Sequence, residues 1–176
     1  MVIFITGLSG AGKTTIARAL NERLLALLGS NPHEHVRMID GDVVRERFGG
    51  DLGFSREDRE EQIRRIGRLA VETIEEGSLA ICSAIAPYES SRSEMRRMLT
   101  EKGTRYLEVY VSTPLSVCAE RDPKGLYRKA YAGEIEKMTG VDDPYEPPSL
   151  PDVEIDTSER SVEDCVEEIV KKIQSV

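Results

Sequence analysis

The sequence has 176 residues and a mass of 19.6 kDa, a size typical of one domain that buries a core without disulfides or metals. Its net charge of -8 argues against a general nucleic-acid-binding surface, because such surfaces neutralise phosphates with Lys and Arg. No apolar run approaches the ~18 residues of a membrane span, and the three widely spaced cysteines predict neither a disulfide framework nor a zinc site. We therefore expect a soluble, cytoplasmic protein that binds neither nucleic acid nor membrane.

Strand-like and helix-like patterns alternate along the chain, which favours a parallel sheet with helices on its faces. Strands are predicted at 2–6, 36–40, 79–85, 106–111 and 152–156. Helices are predicted at 13–28, 56–75 and 90–101, after Pro114 and after Ser161, with a capping arrangement at Ser55 and Asp58 and a turn at Asn31-Pro32. The sequence thus predicts one doubly wound α/β domain over residues 1–176, built on a mainly parallel five-stranded sheet.

The segment 122–150 differs from the rest of the chain because it gathers Gly, Pro and charged residues. Long segments of this composition either cover a functional site or run over the surface as plain loops. We interpret residues 122–150 as a lid over a site, with a surface loop as the alternative.

Residues 7–15, GLSGAGKTT, stand between the first predicted strand and the first predicted helix and satisfy the pattern GxxxxGK[ST]. In such a P-loop the glycines let backbone N–H groups wrap around phosphates, while the lysine balances the outer phosphates and the hydroxyl holds magnesium. The motif therefore predicts a site for a nucleoside triphosphate and Mg²⁺. The residues assigned to it are Gly7, Ser9, Gly10, Ala11, Gly12, Lys13, Thr14 and Thr15.

The second predicted strand ends in two carboxylates, Asp40-Gly41-Asp42, whereas the third ends without an acidic residue. We expect Asp40 to lie beside the loop lysine, one strand away, once the second strand pairs in the sheet. A carboxylate there can take a proton from an attacking hydroxyl or anchor a water on magnesium. The pattern favours a small-molecule kinase over a motor or switch protein, and a polar turn is the alternative for this tripeptide.

Three arginines, Arg45, Arg56 and Arg59, surround the stretch LGFS at 52–55. Positive charge next to the aromatic ring of Phe54 suits an anionic ligand with a flat ring, through ion pairing and stacking. A solvated basic helix face is the alternative.

Seven sequence blocks and a final strand that ends in Asp156-Thr157 resemble the adenylylsulfate kinase family, in the same order over residues 3–157. The blocks are GLSGAGKTT, DGDVVR, LGFSREDR, IRRIG, IAPY, RDPKGLYRKA and AGEIEKMTGVDDPYEPP. The blocks RDPKGLYRKA and LGFSREDR are far more specific to this family than the P-loop is. The resemblance implies a P-loop kinase fold in which ATP and Mg²⁺ phosphorylate the 3'-hydroxyl of adenosine 5'-phosphosulfate (APS), giving the 3'-phosphorylated product (PAPS) and ADP. It also implies a homodimer, and either a partnership or a fusion with an ATP sulfurylase.

The resemblance also implies a role for individual residues. It places Lys13, Asp40 and Asp42 in catalysis, with Asp40 near the acceptor hydroxyl as a base or, through water, as a metal anchor beside Thr14. It makes Arg121 a lid residue near ATP. The residues that it assigns to the acceptor pocket and its cover are Arg45, Phe54, Arg59, Gln62, Ile85, Lys124, Leu126 and Met138.

Three positions depart from the commoner family pattern. Gln62 stands where an asparagine is usual, so the same amide is carried on a side chain one methylene longer. Met138 stands where we expect a second stacking aromatic residue, and Ala86 replaces a serine that some relatives carry after the third strand.

Two other functions stay open at this point. One is a kinase of the same architecture that acts on a different nucleotide, such as a cytidine conjugate. The other is a non-catalytic nucleotide-binding or regulatory module, although the intact set of Lys13, Asp40 and Lys124 argues against it.

Overall fold

The computed structural model describes residues 1–29 and 35–175, so the turn predicted at Asn31-Pro32 lies outside the described residues. The strands in the described ranges are β1 (Val2–Gly7), β2 (Val36–Asp40), β3 (Leu79–Ser83), β4 (Tyr106–Val111) and β5 (Val153–Ile155). They form one sheet in the order β2-β3-β1-β4-β5, and every pairing is parallel. The predicted doubly wound α/β fold is therefore confirmed.

Helices connect the strands and cover both faces of the sheet. They are α1 (Lys13–Leu28), α2 (Gly41–Phe48), α3 (Arg56–Glu75), α4 (Glu89–Glu101), α5 (Leu115–Arg121), α6 (Leu126–Tyr131) and α7 (Val162–Ser175). Across the part of the chain that the structure describes, no helix combines the length and apolar character needed to cross a membrane.

β1 is the centre of the core, and all of its residues are buried. Because side chains alternate along a strand, Ile3 and Ile5 pack on one face with α1 and α7, while Val2 and Phe4 pack on the other with α3 and α4. β1 lies between β3 and β4, so the strand order reverses there: β2 and β3 lie on one side of β1, and β4 and β5 lie on the other. Ligands of open α/β sheets bind at the carboxyl ends of strands at such a reversal, and this is where the P-loop lies.

The position of β2 corrects one prediction. The strand that ends in Asp40, β2, is not the neighbour of the P-loop strand β1, because β3 pairs with both and lies between them. A buried parallel strand such as LAICS can occupy a central position, whereas β2 exposes Arg37 and Met38 and suits the edge. Asp40 must therefore reach the P-loop across the end of β3.

Two helices were missed by the sequence analysis. α2 begins directly after β2, where the chain was interpreted as the end of a strand and a turn, and the side chain of Asp40 caps it by accepting a hydrogen bond from the amide of Asp42. α6 lies inside the segment 122–150. Both are too short, at 8 and 6 residues, for an apolar period to stand out.

The start of α3 confirms the predicted capping arrangement. Ser55 accepts a hydrogen bond from the amide of Asp58, and the Asp58 carboxylate accepts one from the amide of Ser55. This reciprocal pair fixes the first turn of the helix. Arg59 and Gln62 extend from the turns that follow.

Candidate active site

A cavity of about 1320 Å³ opens at the carboxyl ends of β1, β2 and β3. It is larger than the roughly 300–1,000 Å³ of a pocket for one small ligand, so it has room for two. Gly7 and Ala11 support the P-loop from outside the cavity lining, whereas the other predicted site residues line it. These are Ser9, Gly10, Gly12, Lys13, Thr14, Thr15, Asp40, Asp42, Arg45, Phe54, Arg59, Gln62, Ile85, Arg121, Lys124, Leu126 and Met138.

The P-loop needs glycine where its backbone runs against neighbouring chain. Gly7 has φ 151°, and a Cβ there would lie 2.5 Å from the carbonyl oxygen of Val111. Gly10 has φ 77°, and a Cβ would lie 2.9 Å from the carbonyl oxygen of Cys118. The loop then enters α1 without a side-chain cap among the described residues, so the first amides of the helix remain available to an anion.

Lys13 lies under this loop and donates a hydrogen bond from Nζ to the carbonyl oxygen of Leu8, at 2.7 Å. Part of its surface opens into the cavity, but protein atoms surround the ammonium group. Burial lowers the pKa of Lys13 to about 8, although the carboxylates of Asp42 and Asp40 favour its charged form. Burial therefore makes the ammonium form of Lys13 less favourable than it is in water, and a nearby anion would favour that form.

Asp40 joins three elements at the base of the cavity. Its Oδ2 accepts hydrogen bonds from Thr14 Oγ1 at 3.0 Å and from Ser83 Oγ at 3.2 Å, and its Oδ1 accepts one from the Asp42 amide at 2.9 Å. Ser83 was not predicted as a site residue, because a serine at the end of a buried strand carries no distinctive pattern. These contacts place a carboxylate beside the P-loop hydroxyl despite the strand between them.

The oxygens of Thr14 and Asp40 are hard donors of the kind that Mg²⁺ prefers, and this ion keeps several waters rather than a full protein cage. Among the described residues, no group of three or more His, Cys, Asp or Glu side chains could hold a metal. The donor set therefore fits magnesium that is also bound by phosphate and water, and does not fit a metal held by protein ligands alone.

Arg121 lies at the rim of the P-loop, at the end of α5. Its guanidinium donates to Thr157 Oγ1 and to the Thr157 carbonyl oxygen, both at 2.8 Å, and Thr157 Oγ1 donates to the carbonyl oxygen of Ala11 at 2.8 Å. Tyr127 of α6 donates from its hydroxyl to the carbonyl oxygen of Ser9 at 2.9 Å. Thr157 and Tyr127 were not predicted, since their contacts cross more than a hundred residues of chain.

Two arginines and one aromatic ring form the opposite wall. The Arg45 guanidinium lies 4.8 Å from the centre of the Phe54 ring, and that of Arg59 lies 5.8 Å from it. Burial and then the charge of Arg59 lower the pKa of Arg45, so an anion between the two cations would relieve their repulsion. Arg56 does not join them: it lies over the Tyr88 ring at 4.4 Å, outside the cavity lining, so its predicted place in the anion site is wrong.

The segment 122–150, predicted as a lid, contributes lining residues to the cavity and contacts both the P-loop side and the arginine wall. Lys124 Nζ forms an ion pair with Asp42 Oδ2 at 2.5 Å, and Leu126 packs against the core cluster that contains Ile3 and Ile5. Arg59 pairs with Asp143 at 3.3 Å and donates to Thr139 Oγ1 at 2.9 Å. The lid therefore contacts the carboxylates near the P-loop and the arginines of the opposite wall.

A family model described as adenylylsulphate kinase matches residues 1–156. The chain belongs to the adenylylsulfate kinase family. Adenylyl-sulfate kinases of Synechococcus sp. strain JA-3-3Ab and Myxococcus xanthus are 44% and 49% identical, and the matches cover 99% and 92% of this chain and 94% and 84% of theirs. The solved APS kinase of Mycobacterium tuberculosis in complex with AMPPNP and APS is 37% identical, with a TM-score of 0.91 over 98% of this chain and 96% of that one.

Against the adenylylsulfate kinase pattern, Gln62 is the departure with the clearest structural consequence. It is 6% exposed, and its Nε2 donates to the carbonyl oxygen of Gly41 at 3.0 Å. Its Oε1 is buried and has no hydrogen-bond partner within the described part of the chain, although Gln62 is one of the residues that line the cavity. A buried acceptor without a partner costs about 1–3 kcal/mol, so a donor on a ligand would stabilise this site.

The pKa of Lys13 can be measured directly. In the free protein with isotope-labelled lysine side chains, NMR should show one lysine that titrates at about pH 8 and moves to higher pH when ATP is added, because phosphate stabilises the ammonium form. Lys13→Met should remove this resonance, whereas replacing the exposed Lys129 should leave it in place. A resonance that survives in Lys13→Met would contradict the assignment.

Proposed function

We propose that this protein transfers the γ-phosphoryl group of ATP to the 3'-hydroxyl of APS, giving PAPS and ADP. The observation that carries the proposal is that one cavity holds both a carboxylate beside the P-loop and a wall with two arginines and an aromatic ring. The carboxylate is that of Asp40, whose Oδ2 lies 3.0 Å from Thr14 Oγ1. Membership of the adenylylsulfate kinase family, and the relative solved with AMPPNP and APS, support the choice of both substrates.

The ATP end of the cavity is the P-loop and the beginning of α1. The free helix amides and the charge of Lys13 bind the phosphates, and Arg121 lies where the nucleoside leaves the loop. Thr14 and Asp40 would hold Mg²⁺, directly or through water. When bound, the ion neutralises charge on the outer phosphates.

The acceptor end binds an anion and a ring. Arg45 and Arg59 pair with the phosphosulfate, Phe54 and Met138 cover the adenine, and Gln62 offers its free carbonyl to a donor on the nucleotide. Ile85 completes this wall.

In the transfer itself, the 3'-oxygen forms a bond to the γ-phosphorus while the bond to the bridging oxygen of ADP breaks. The hydroxyl proton passes to Asp40, directly or through a water, and Asp42 supports the site through its amide and its ion pair with Lys124. The lid excludes water, which protects the phosphoryl group from hydrolysis.

We further propose that the kinase is one domain over residues 1–176 that includes the lid at 122–150. From the family resemblance, it acts as a homodimer in the cytoplasm. An ATP sulfurylase, separate or fused, supplies its APS.

The proposed reaction is tested by ADP release from purified protein with ATP and Mg²⁺. APS should support turnover at least about 100-fold faster than AMP, which lacks the sulfate that the arginines bind. Turnover with a cytidine nucleotide and none with APS would indicate the other kinase, and ATP binding without any turnover would indicate the non-catalytic module.

The negative charge of Asp40 and its role as the cap of α2 can be tested separately. Asp40→Asn keeps an oxygen that can cap α2 but removes the charge, so turnover should fall about 100-fold or more while the free energy of unfolding hardly changes. Lys13→Ala should lose turnover by a similar factor because a phosphate clamp is gone. Asp164→Asn, a matched change in the cap of α7, should leave turnover intact. Near-normal turnover in Asp40→Asn would reject the catalytic assignment.

Arg59→Ala should raise the KM for APS about 10- to 100-fold, the value of a lost charged hydrogen bond, and leave the KM for ATP nearly unchanged. Arg56→Ala is the matched control, because Arg56 lies one turn earlier on α3 and contacts Tyr88 instead of the cavity. Steady-state kinetics with each substrate varied in turn gives both constants. An unchanged KM for APS in Arg59→Ala, or an equal rise in Arg56→Ala, would remove Arg59 from the acceptor site.

A further inference from the structure

Arg92 lies behind the acceptor wall, in the first turn of α4, and is 1% exposed. It does not line the cavity. Its guanidinium donates one hydrogen bond to the carbonyl oxygen of Ala86 and another to the carbonyl oxygen of Glu146, each at 2.7 Å. One buried cation thus binds two chain segments that are distant in sequence.

The first of these segments is the wall of the acceptor pocket. Ala86 and Pro87 line the cavity directly after Ile85. Ala86 has φ 46°, a left-handed conformation that costs a residue with a Cβ about 1–2 kcal/mol. The hydrogen bond from Arg92 to the Ala86 carbonyl oxygen therefore holds a bend that the local sequence does not favour.

The second segment is the C-terminal end of the lid. The amide of Glu146 donates to the carbonyl oxygen of Pro87 at 2.8 Å. One residue earlier, the hydroxyl of Tyr145 shares a hydrogen bond of 2.9 Å with Thr6 Oγ1, which in turn donates to the carbonyl oxygen of Ile85 at 2.6 Å. Three connections therefore join the lid end to the pocket wall: the hydrogen bond from Glu146 to Pro87, the path from Tyr145 through Thr6 to Ile85, and the two hydrogen bonds of Arg92.

The charge of Arg92 is balanced by two carboxylates. Glu89 Oε2 accepts a hydrogen bond at 2.6 Å, and Glu108 Oε1 of β4 lies 3.3 Å away in a buried ion pair. Burying such a pair costs more than packing apolar side chains of the same volume, so stability alone is a weak reason for it. A planar fork that reaches two carbonyl oxygens at once is something only an arginine provides.

We propose that Arg92 is a positioning residue for the acceptor: it fixes the wall at 85–87 and the lid end at 145–146 relative to each other, so that the acceptor enters a preformed pocket. The identity of the acceptor as APS rests on the function proposed above. The joint between wall and lid end does not.

Arg92→Lys keeps a positive charge opposite Glu108 and Glu89 but loses the fork. We expect the KM for APS to rise roughly tenfold, with a much smaller change in the KM for ATP, because the P-loop does not depend on this joint. Arg96→Gln is the matched control. Arg96 pairs with the same Glu108, at 3.1 Å, and with Asp152, so its loss affects the buried acid without touching the pocket wall.

Hydrogen exchange gives a second readout that needs no turnover. The amides of Ile85, Ala86, Tyr88, Asp143, Tyr145 and Glu146 should exchange faster in Arg92→Lys than in wild type and should be unaffected in Arg96→Gln. Wild-type KM and exchange in Arg92→Lys would overturn the proposal. So would equal rises of both KM values in both variants, which would mean a general loss of stability. If wild type fails to turn over APS, the function proposed above fails, and the exchange data alone decide the role of Arg92.

Discussion

Asp40 accepts hydrogen bonds from three different elements: Thr14 in α1, Ser83 at the end of β3, and α2 through the amide of Asp42. These contacts set the distance between the phosphate loop and the base of the acceptor pocket. A carboxylate can do this because it has lone pairs for several donors at once. The same atoms remain chemically useful, since a proton or a hydrated ion can replace a hydroxyl at the carboxylate.

The site is strongly cationic in a protein with a net charge of -8. Two of its cations form ion pairs with carboxylates of the protein itself: Lys124 with Asp42, and Arg59 with Asp143. Such pairs keep the cations in place and partly neutral without a ligand. An anionic substrate can replace these carboxylates as the partner of the cations. Positive charge therefore attracts anions inside the cavity, while the net negative charge of the protein discourages the binding of polyanions.

The segment 122–150 contacts the rest of the protein at several places. Near its start, the Tyr127 hydroxyl donates to the carbonyl oxygen of Ser9 in the P-loop. At its end, the Glu146 amide donates to the carbonyl oxygen of Pro87 after β3, and the Tyr145 hydroxyl shares a hydrogen bond with Thr6 of β1. Between these points, Arg59 contacts Thr139 and Asp143. Because the segment contacts both the P-loop and the region after β3, it connects the two ends of the cavity.

The sequence by itself determined the elements whose cause is local. Apolar periods gave the long helices and buried strands, GLSGAGKTT gave the phosphate loop, and Ser55 with Asp58 gave the start of α3. Only the tertiary structure decided that β3 separates β2 from β1, that Ser83 and Thr157 join the site, and that Arg56 turns away from it. These features depend on strand order and on hydrogen bonds between residues far apart in the chain, and a local pattern of residue types does not encode which distant partner a polar side chain will meet.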